Sequence, residues 1–262
     1  QSKLSAAIVR YLVKKGRKFN LIGENIVCID QPGVPCFVAH MDTVNDSALS
    51  NQLMIENGVL YRQDAILGAD DRAGVQIILD NILSINFMLT TDEEKGGLGA
   101  EDINMTPYVA RLISDFDVPC LLEFDRMGNS DIIGVHNGYC SQEMSDIIQS
   151  VAHDYSDGHG TFTDLNNLSG LGLQGVNLSV GYYDQHSKGE HLVLKEFERA
   201  RLLARTLIEE FTGADPLLIE DVSHDDYDLY AAHRARYMSG GYVWRTKYCS
   251  ECDIELLSHE ED

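Results

Sequence analysis

Apolar positions follow two rhythms along this chain. Near the start, Leu4, Ile8 and Leu12, with Val9 and Val13 beside them, recur every fourth residue. That spacing predicts a helix with one buried face, and Gly16 stops it. Elsewhere the chain has short, mostly apolar runs, at 36–39, 85–89 and 120–124, and 175–182 reads as a strand too. Runs of that length predict strands buried on both faces. Residues 25–30, 59–62 and 131–135 read as further strands, and the Gln-Pro-Gly-Val-Pro segment at 31–35 as a turn. Helical spacing returns at 75–83, at 110–116 and at Met144, Ile147, Ile148 and Val151, and a long amphipathic stretch at 192–211 ends before Gly213. Strands and helices alternate without an internal repeat. The fold class expected is therefore α/β, a three-layer α/β/α sandwich around a mixed, mostly parallel sheet.

Charge narrows the partners. The 262 residues hold 20 Lys and Arg against 42 Asp and Glu, a formal net charge of −22. Such a surface disfavours nucleic acid and anionic membranes and is compatible with cations. No apolar run approaches the roughly 20 residues that span a bilayer, and no signal peptide is read at the start. Cys28, Cys36, Cys120 and Cys140 lie in or beside strand-like runs, where a thiol packs as a small hydrophobe. A reducing, cytoplasmic setting is expected. Composition changes after Pro216, so residues 1–213 are read as the catalytic domain and 214–262 as an acidic C-terminal appendage. The appendage contains Cys249-Ser250-Glu251-Cys252, a lone Cys-x-x-Cys. A zinc ribbon needs a second pair or two histidines, and His224 and His233 stand at no finger spacing, so two reduced cysteines are the plain reading.

The chemistry gathers where the strands end. Glu93 and Glu94 follow the 85–89 run and precede Gly96-Gly97. In open α/β sheets, ligands bind outside the carboxyl ends of the strands. Other strand ends or the loops after them carry His40, Asp70, Asp125 and His186. Imidazole nitrogens with carboxylate oxygens suit zinc, and cobalt or manganese less specifically. His40, Asp70, Glu94, Asp125 and His186 are too many for one tetrahedral site. If one carboxylate bridges, they suit two ions roughly 3.5–4 Å apart. Asp42, two residues past His40, could reach the other imidazole nitrogen and orient the ring. Glu93 then remains near the ions without binding them, able to take a proton from water and pass it to a leaving amine. Asp71 reads as a helix cap. Alone, each of these residues is a turn, a cap or a structural histidine; together, on one rim, they point to a metal centre. Gly96-Gly97-Leu98-Gly99 lacks a Walker lysine and serine, and neither Ser187 nor Cys140 shows the partners of a nucleophile.

Five short motifs carry a family resemblance. His-Met-Asp at 40–42, Gly-Ala-Asp-Asp-Arg-Ala-Gly at 68–74, Thr-Asp-Glu-Glu at 91–94, Glu-Phe-Asp-Arg at 123–126 and Gly-Tyr-Tyr-Asp-Gln-His at 181–186 resemble those of the co-catalytic zinc exopeptidases. These include tripeptidases, zinc aminopeptidases, carboxypeptidases and aminoacylases. The resemblance spans roughly residues 1–213 with the motifs in the family's order. It implies two zinc ions bridged by Asp70, one completed by His40 and Asp125, the other by Glu94 and His186. It implies Asp42 as the orienting carboxylate and Glu93 as general acid/base. Many members insert a lid domain between the fourth and fifth ligands, and the segment between Asp125 and His186 is too short for one. The compact branch, similar to the aminopeptidases, is therefore the nearer likeness. The 158–164 segment resembles the family's loop beside the substrate pocket, where His159 and Asp164 could contact substrate or serve only as turn and helix cap.

The expectation is a zinc-dependent metallopeptidase, an aminopeptidase hydrolysing small peptides. The alternatives are a deacylase or carboxypeptidase acting on acyl-amino acids or peptides, and a metal-bound protein that only binds.

Overall fold

In the computed structural model, residues 3–44, 52–160, 162–219, 245–248 and 255–258 are described. An eight-stranded sheet forms the middle layer, in the order β1-β2-β6-β3-β7-β10-β8-β9. Its strands are β1 (Asn20–Ile22), β2 (Asn25–Cys28), β3 (Cys36–His40), β6 (Asn86–Thr90), β7 (Leu121–Arg126), β8 (Asp131–Ile133), β9 (Ser156–Asp157) and β10 (Gly175–Ser179). The four central strands, β6, β3, β7 and β10, are all parallel, and β2 and β8 flank them antiparallel. The mixed, mostly parallel α/β sandwich read from the sequence is the fold observed.

The period-2 pattern of each strand explains the three layers. Cys28, Phe37, Ala39, Phe87, Leu89, Leu122, Phe124, Val176 and Leu178 point to one face, into a core with Leu12, Ile77, Ile78, Met144, Ile148 and Leu207. Val27, Cys36, Val38, Met88 and Leu121 point to the other, against Ala100, Ile103, Val109, Leu112 and Leu165. Both faces are buried, so the strands read as continuous apolar runs. The first face is covered by α1 (Lys3–Lys15), α2 (Ala69–Asp80), α5 (Gln142–Val151) and α7 (Leu194–Phe211). The second is covered by α3 (Leu98–Asn104), α4 (Pro107–Asp115) and α6 (Asp164–Leu168). Cys28, Cys36, Cys120 and Cys140 are buried and unbonded. No helix among the described residues is long and apolar enough to cross a membrane.

Leu207 is fully buried on α7. Leu207→Ala removes its packing and leaves a cavity under the sheet, so a loss of about 2–5 kcal/mol is expected, read by urea unfolding.

A second, four-stranded sheet runs β11-β12-β5-β4, with β4 (Leu53–Glu56), β5 (Val59–Arg62), β11 (Tyr182–Tyr183) and β12 (His191–Val193). It corrects the single strand expected over 175–182. The chain leaves the main sheet after Ser179, turns at Gly181 (φ 96°) and enters the small sheet at Tyr182. A Cβ on Gly181 would stand 2.9 Å from the Phe197 nitrogen, so the turn needs glycine. Strand β4 lies within 45–58, a largely polar stretch, and its Leu53 and Ile55 stand exposed on the edge of the small sheet. Helix α3 was not expected either; it is short and begins after two glycines. In the appendage, β13 (Arg245–Tyr248) pairs antiparallel with β14 (Glu255–Ser258), and Cys249 and Cys252 lie outside the described residues.

Candidate metal centre

Parallel pairing of β6, β3 and β7 sets their carboxyl ends side by side. His40 is the last residue of β3 and is buried. The Glu93–Lys95 turn follows β6 after Asp92, which takes a left-handed conformation (φ 59°). Buried Asn25 anchors that turn. Its Oδ1 accepts the Thr91 amide at 2.9 Å, and its Nδ2 donates to the Gly99 carbonyl at 3.1 Å. Asp125 stands near the end of β7, where its amide donates to Asn177 Oδ1 (2.9 Å) and its carbonyl accepts from Asn177 Nδ2 (3.0 Å). The Tyr182 hydroxyl donates to Asp125 Oδ1 at 3.1 Å. Asp70 comes from the start of α2, after Gly68 in the left-handed region (φ 72°), and the Asp70–Asp71 peptide is cis. His186 follows β11 with φ 61°.

Asp70 lies at the centre. Its Oδ1 is 2.9 Å from His40 Nε2 and its Oδ2 is 3.0 Å from His186 Nε2. Asp125 Oδ2 is 3.6 Å from the same His40 nitrogen. Glu94 Oε1 is 3.1 Å from the same His186 nitrogen. Two groups able to hold a metal result, one of His40, Asp70 and Asp125, the other of Asp70, Glu94 and His186, with donor atoms within 4.8 Å of one another in each. His40, Glu93 and Glu94 form a third such group. All five residues singled out as ligands from the sequence are thus brought together, with Asp70 common to the two main groups.

The electrostatics describe a site crowded with negative charge. Burial, with repulsion from Asp70 and Asp71, pushes the Asp125 carboxyl well above its ordinary range. Burial disfavours a charged His40, but Asp125, Asp42 and Asp70 outweigh it and raise the imidazole well above 6.5. Burial also opposes ionisation of Asp70, yet hydrogen bonds from His186 and His40 hold its carboxyl below the usual range. Burial pushes Glu93 up to about 7; His40 opposes this, and Asp164, Glu94 and Asp70 add to it. Glu94 Oε1 is a buried oxygen without a well-aligned hydrogen bond. A cation would resolve these tensions: it would satisfy that oxygen, offset the acids and accept the histidine lone pairs.

Asp42 does more than was expected of it. Its carboxylate lies 3.5 Å from His40 Nδ1, while its own backbone carbonyl sits closer, at 3.1 Å, and takes the hydrogen bond. The carboxylate oxygens accept long hydrogen bonds of 3.3 Å from the amides of Glu93 and Glu94. Asp42 therefore ties the end of β3 to the acidic turn. Asp71 accepts the Gly74 amide at 2.8 Å, as a helix cap does, and also the His40 amide at 3.3 Å.

The 158–164 segment divides. His159 is exposed and stacks on His136, with ring centroids 4.1 Å apart. Asp164 is fully buried and accepts a short hydrogen bond from Thr90, so contact with substrate is corrected to an internal role. The cap of α6 is Thr163, not Asp164. Burial holds the Asp164 carboxyl at about 6. The folded state binds that proton more tightly than the unfolded chain, whose carboxyl keeps an ordinary value near 3.8. Stability of chelator-stripped protein is therefore expected to fall as pH rises from about 4 to about 6, by roughly 3 kcal/mol from this group. Melting curves of Asp164→Asn against the unaltered chain check this: the variant gains across that window, and the gain is level above it.

A cavity of about 100 Å³ opens beside Asp70, Glu93, Asp125 and His186. Met127, Ile133, Phe162 and Tyr182 give it an apolar wall, and Arg126 stands at its edge. Tyr182 and Glu190 were not found in the sequence reading. Glu190 is four residues past His186, and its partners are backbone amides, described below.

No protein-family sequence model and no curated protein matches the chain. Solved structures do match it by fold. Aminopeptidase PepT from Bacillus cereus aligns with a TM-score of 0.62 at 17% identity, over 80% of this chain and 94% of that one. A tripeptidase from Staphylococcus aureus aligns with a TM-score of 0.59 at 17% identity, over 79% and 91%. An aminopeptidase from the archaeon Desulfurococcus kamchatkensis aligns at 0.54 and 18% identity, over 83% and 91%. The chain shares their fold.

Proposed function

We propose that this chain is a dinuclear zinc aminopeptidase acting on short peptides. The observation that carries the reading is the sharing of Asp70 between two groups, each with one histidine and one further carboxylate. His40, Asp70 and Asp125 would hold one ion, and Asp70, Glu94 and His186 the other. The nitrogen and oxygen donors suit zinc, with cobalt or manganese as substitutes. Two such ions polarise a peptide carbonyl and lower the pKa of water.

The chain's own residues supply the rest. Glu93 Oε takes a proton from the attacking water and returns it to the leaving amine. A carboxylate so placed, beside the ligands but outside the two groups that share Asp70, suits both roles. Asp42 fixes the orientation of His40 and the placement of the Glu93–Glu94 turn. Tyr182 orients Asp125. Met127, Ile133 and Phe162 give an apolar seat for one side chain of the substrate. The aminopeptidase and tripeptidase names among the structures of like fold agree with this reading.

The test is digestion of a mixed peptide library by the purified chain, read by mass spectrometry with and without a chelator. Chelator-sensitive loss of residues from free amino termini is expected, and N-acetylated peptides should survive. Loss from carboxyl termini, or release of the acetyl group, would replace the aminopeptidase assignment by a carboxypeptidase or deacylase. Zinc binding without turnover would leave a protein that only binds.

A further inference from the structure

We infer that Glu190 is a positioning residue that grips the backbone carrying Asp70 and so sets where that carboxylate stands; the inference rests on the metal-centre reading above. Glu190 is 1% exposed, and among the described residues no lysine or arginine forms an ion pair with it. Its partners are three successive backbone amides. Oε2 accepts from Gly68 N at 2.7 Å, and Oε1 from Ala69 N at 2.7 Å and Asp70 N at 3.1 Å. These amides lie ahead of the regular turns of α2, because Asp70 (φ −78°, ψ 104°) and Asp71 (φ −115°, ψ 38°) are not helical, so the carboxylate of Glu190 takes up donors that the helix itself does not order. Successive N–H groups that converge in this way form an anion nest. Here the anion is supplied by the chain itself, 120 residues away.

The same side chain links two ligand loops. Glu190 ends the loop that carries His186, and that loop is braced internally. Ser187 Oγ donates to the Asp184 carbonyl at 2.7 Å, Gly189 N donates to Ser187 Oγ at 3.1 Å, and Glu190 N donates to the Ser187 carbonyl at 3.2 Å. Strand β12 then anchors it by pairing His191 with Tyr61 and Leu192 with Leu60. His186 and Glu190 therefore move together. Glu190 holds the Asp70 amide while His186 Nε2 stands 3.0 Å from the Asp70 carboxylate. Removing the grip frees Asp70 to drift from both imidazoles at once.

Glutamine is the discriminating replacement. It offers one acceptor oxygen, and its NH2 group would face an N–H donor, so one side of the nest loses its partner. The full chain, Glu190→Gln and Leu207→Ala are titrated with zinc against a chromogenic chelator. Amide hydrogen exchange is followed at Gly68, Ala69 and Asp70 in the stripped proteins. Glu190→Gln is expected to bind zinc at least tenfold more weakly and to exchange those amides at least tenfold faster. Its kcat for peptide hydrolysis should fall more than its KM changes. Leu207→Ala should melt lower but keep both its zinc affinity and its slow exchange at 68–70. The inference is overturned if Glu190→Gln keeps affinity and protection, or if Leu207→Ala loses zinc affinity to the same degree. If Glu190→Gln does not fold, Glu190→Asp, which keeps the charge and shortens the reach, is read by the same criteria. If the unaltered chain binds no zinc, the metal-centre reading fails, and the exchange rates alone still decide whether Glu190 holds the loop.

Discussion

Glu93→Gln is expected to lower kcat for peptide hydrolysis by about a thousandfold while zinc binding stays as in the unaltered chain. Glu93 stands among the groups that gather at the centre, but it belongs to neither of the two that share Asp70. A carboxylate in that place can hold and pass a proton without being needed to hold metal. Glutamine keeps the size and loses the proton acceptor, so the loss falls on proton transfer, worth roughly 10²–10⁴ in rate. Ligand geometry is preserved because the Glu93 backbone amide, not its carboxylate, donates the hydrogen bond to Asp42. Burial and the nearby acids already press Glu93 toward its neutral form, so the amide is well tolerated. Steady-state kinetics on a cleavable dipeptide, beside a zinc titration, checks the split. Unchanged hydrolysis would remove Glu93 from the mechanism. Lost zinc would make it a ligand instead.

How much of this was open to the sequence depends on what each residue contacts. The central strands announced themselves because both of their faces are buried, and Phe37, Val38, Phe87 and Met88 leave no polar gap. Their carboxyl ends then marked His40, Glu94 and Asp125 as neighbours before any coordinates. Strand β4 did not announce itself, because Leu53, Met54 and Ile55 are a short apolar run within a largely polar stretch and stand on an exposed edge instead of in the core. The passage of the chain from β10 to β11 was hidden because Gly181 lies inside a stretch, 175–182, that reads as one strand. Glu190 was invisible for a different reason. Its partners are the amides of Gly68, Ala69 and Asp70, and every non-proline residue has an amide. A charge that binds backbone leaves no complementary side chain to find. Asp164 misled for the converse reason. A polar residue between Thr163 and Asn166 reads as a loop, whereas here it is sealed under Thr90.

Asp70→Asn is expected to cost the chain both ions, where His186→Ala should cost chiefly one. The two oxygens of Asp70 face different imidazoles, at 2.9 Å and 3.0 Å. Asparagine keeps one oxygen. Its NH2 group would point at the other ion, as a donor where a lone pair is required. It would also remove the negative charge common to the two sites, so that cations held there would repel each other more strongly, with only Glu94 and Asp125 left to offset their charge. Loss of a supporting contact to a ligand costs about 10–100-fold in affinity. Loss of the shared ligand should exceed that at one site and weaken the second through the stronger repulsion. His186 contributes to one group alone, so its loss leaves His40, Asp70 and Asp125 in place. Metal content after dialysis, measured by mass spectrometry, separates the cases as about none, one and two ions per chain. Two ions retained by Asp70→Asn would mean that Asp70 does not bridge. One ion lost from each variant would assign Asp70 to a single site, and the common oxygen would then have to be sought in Glu94 or in water.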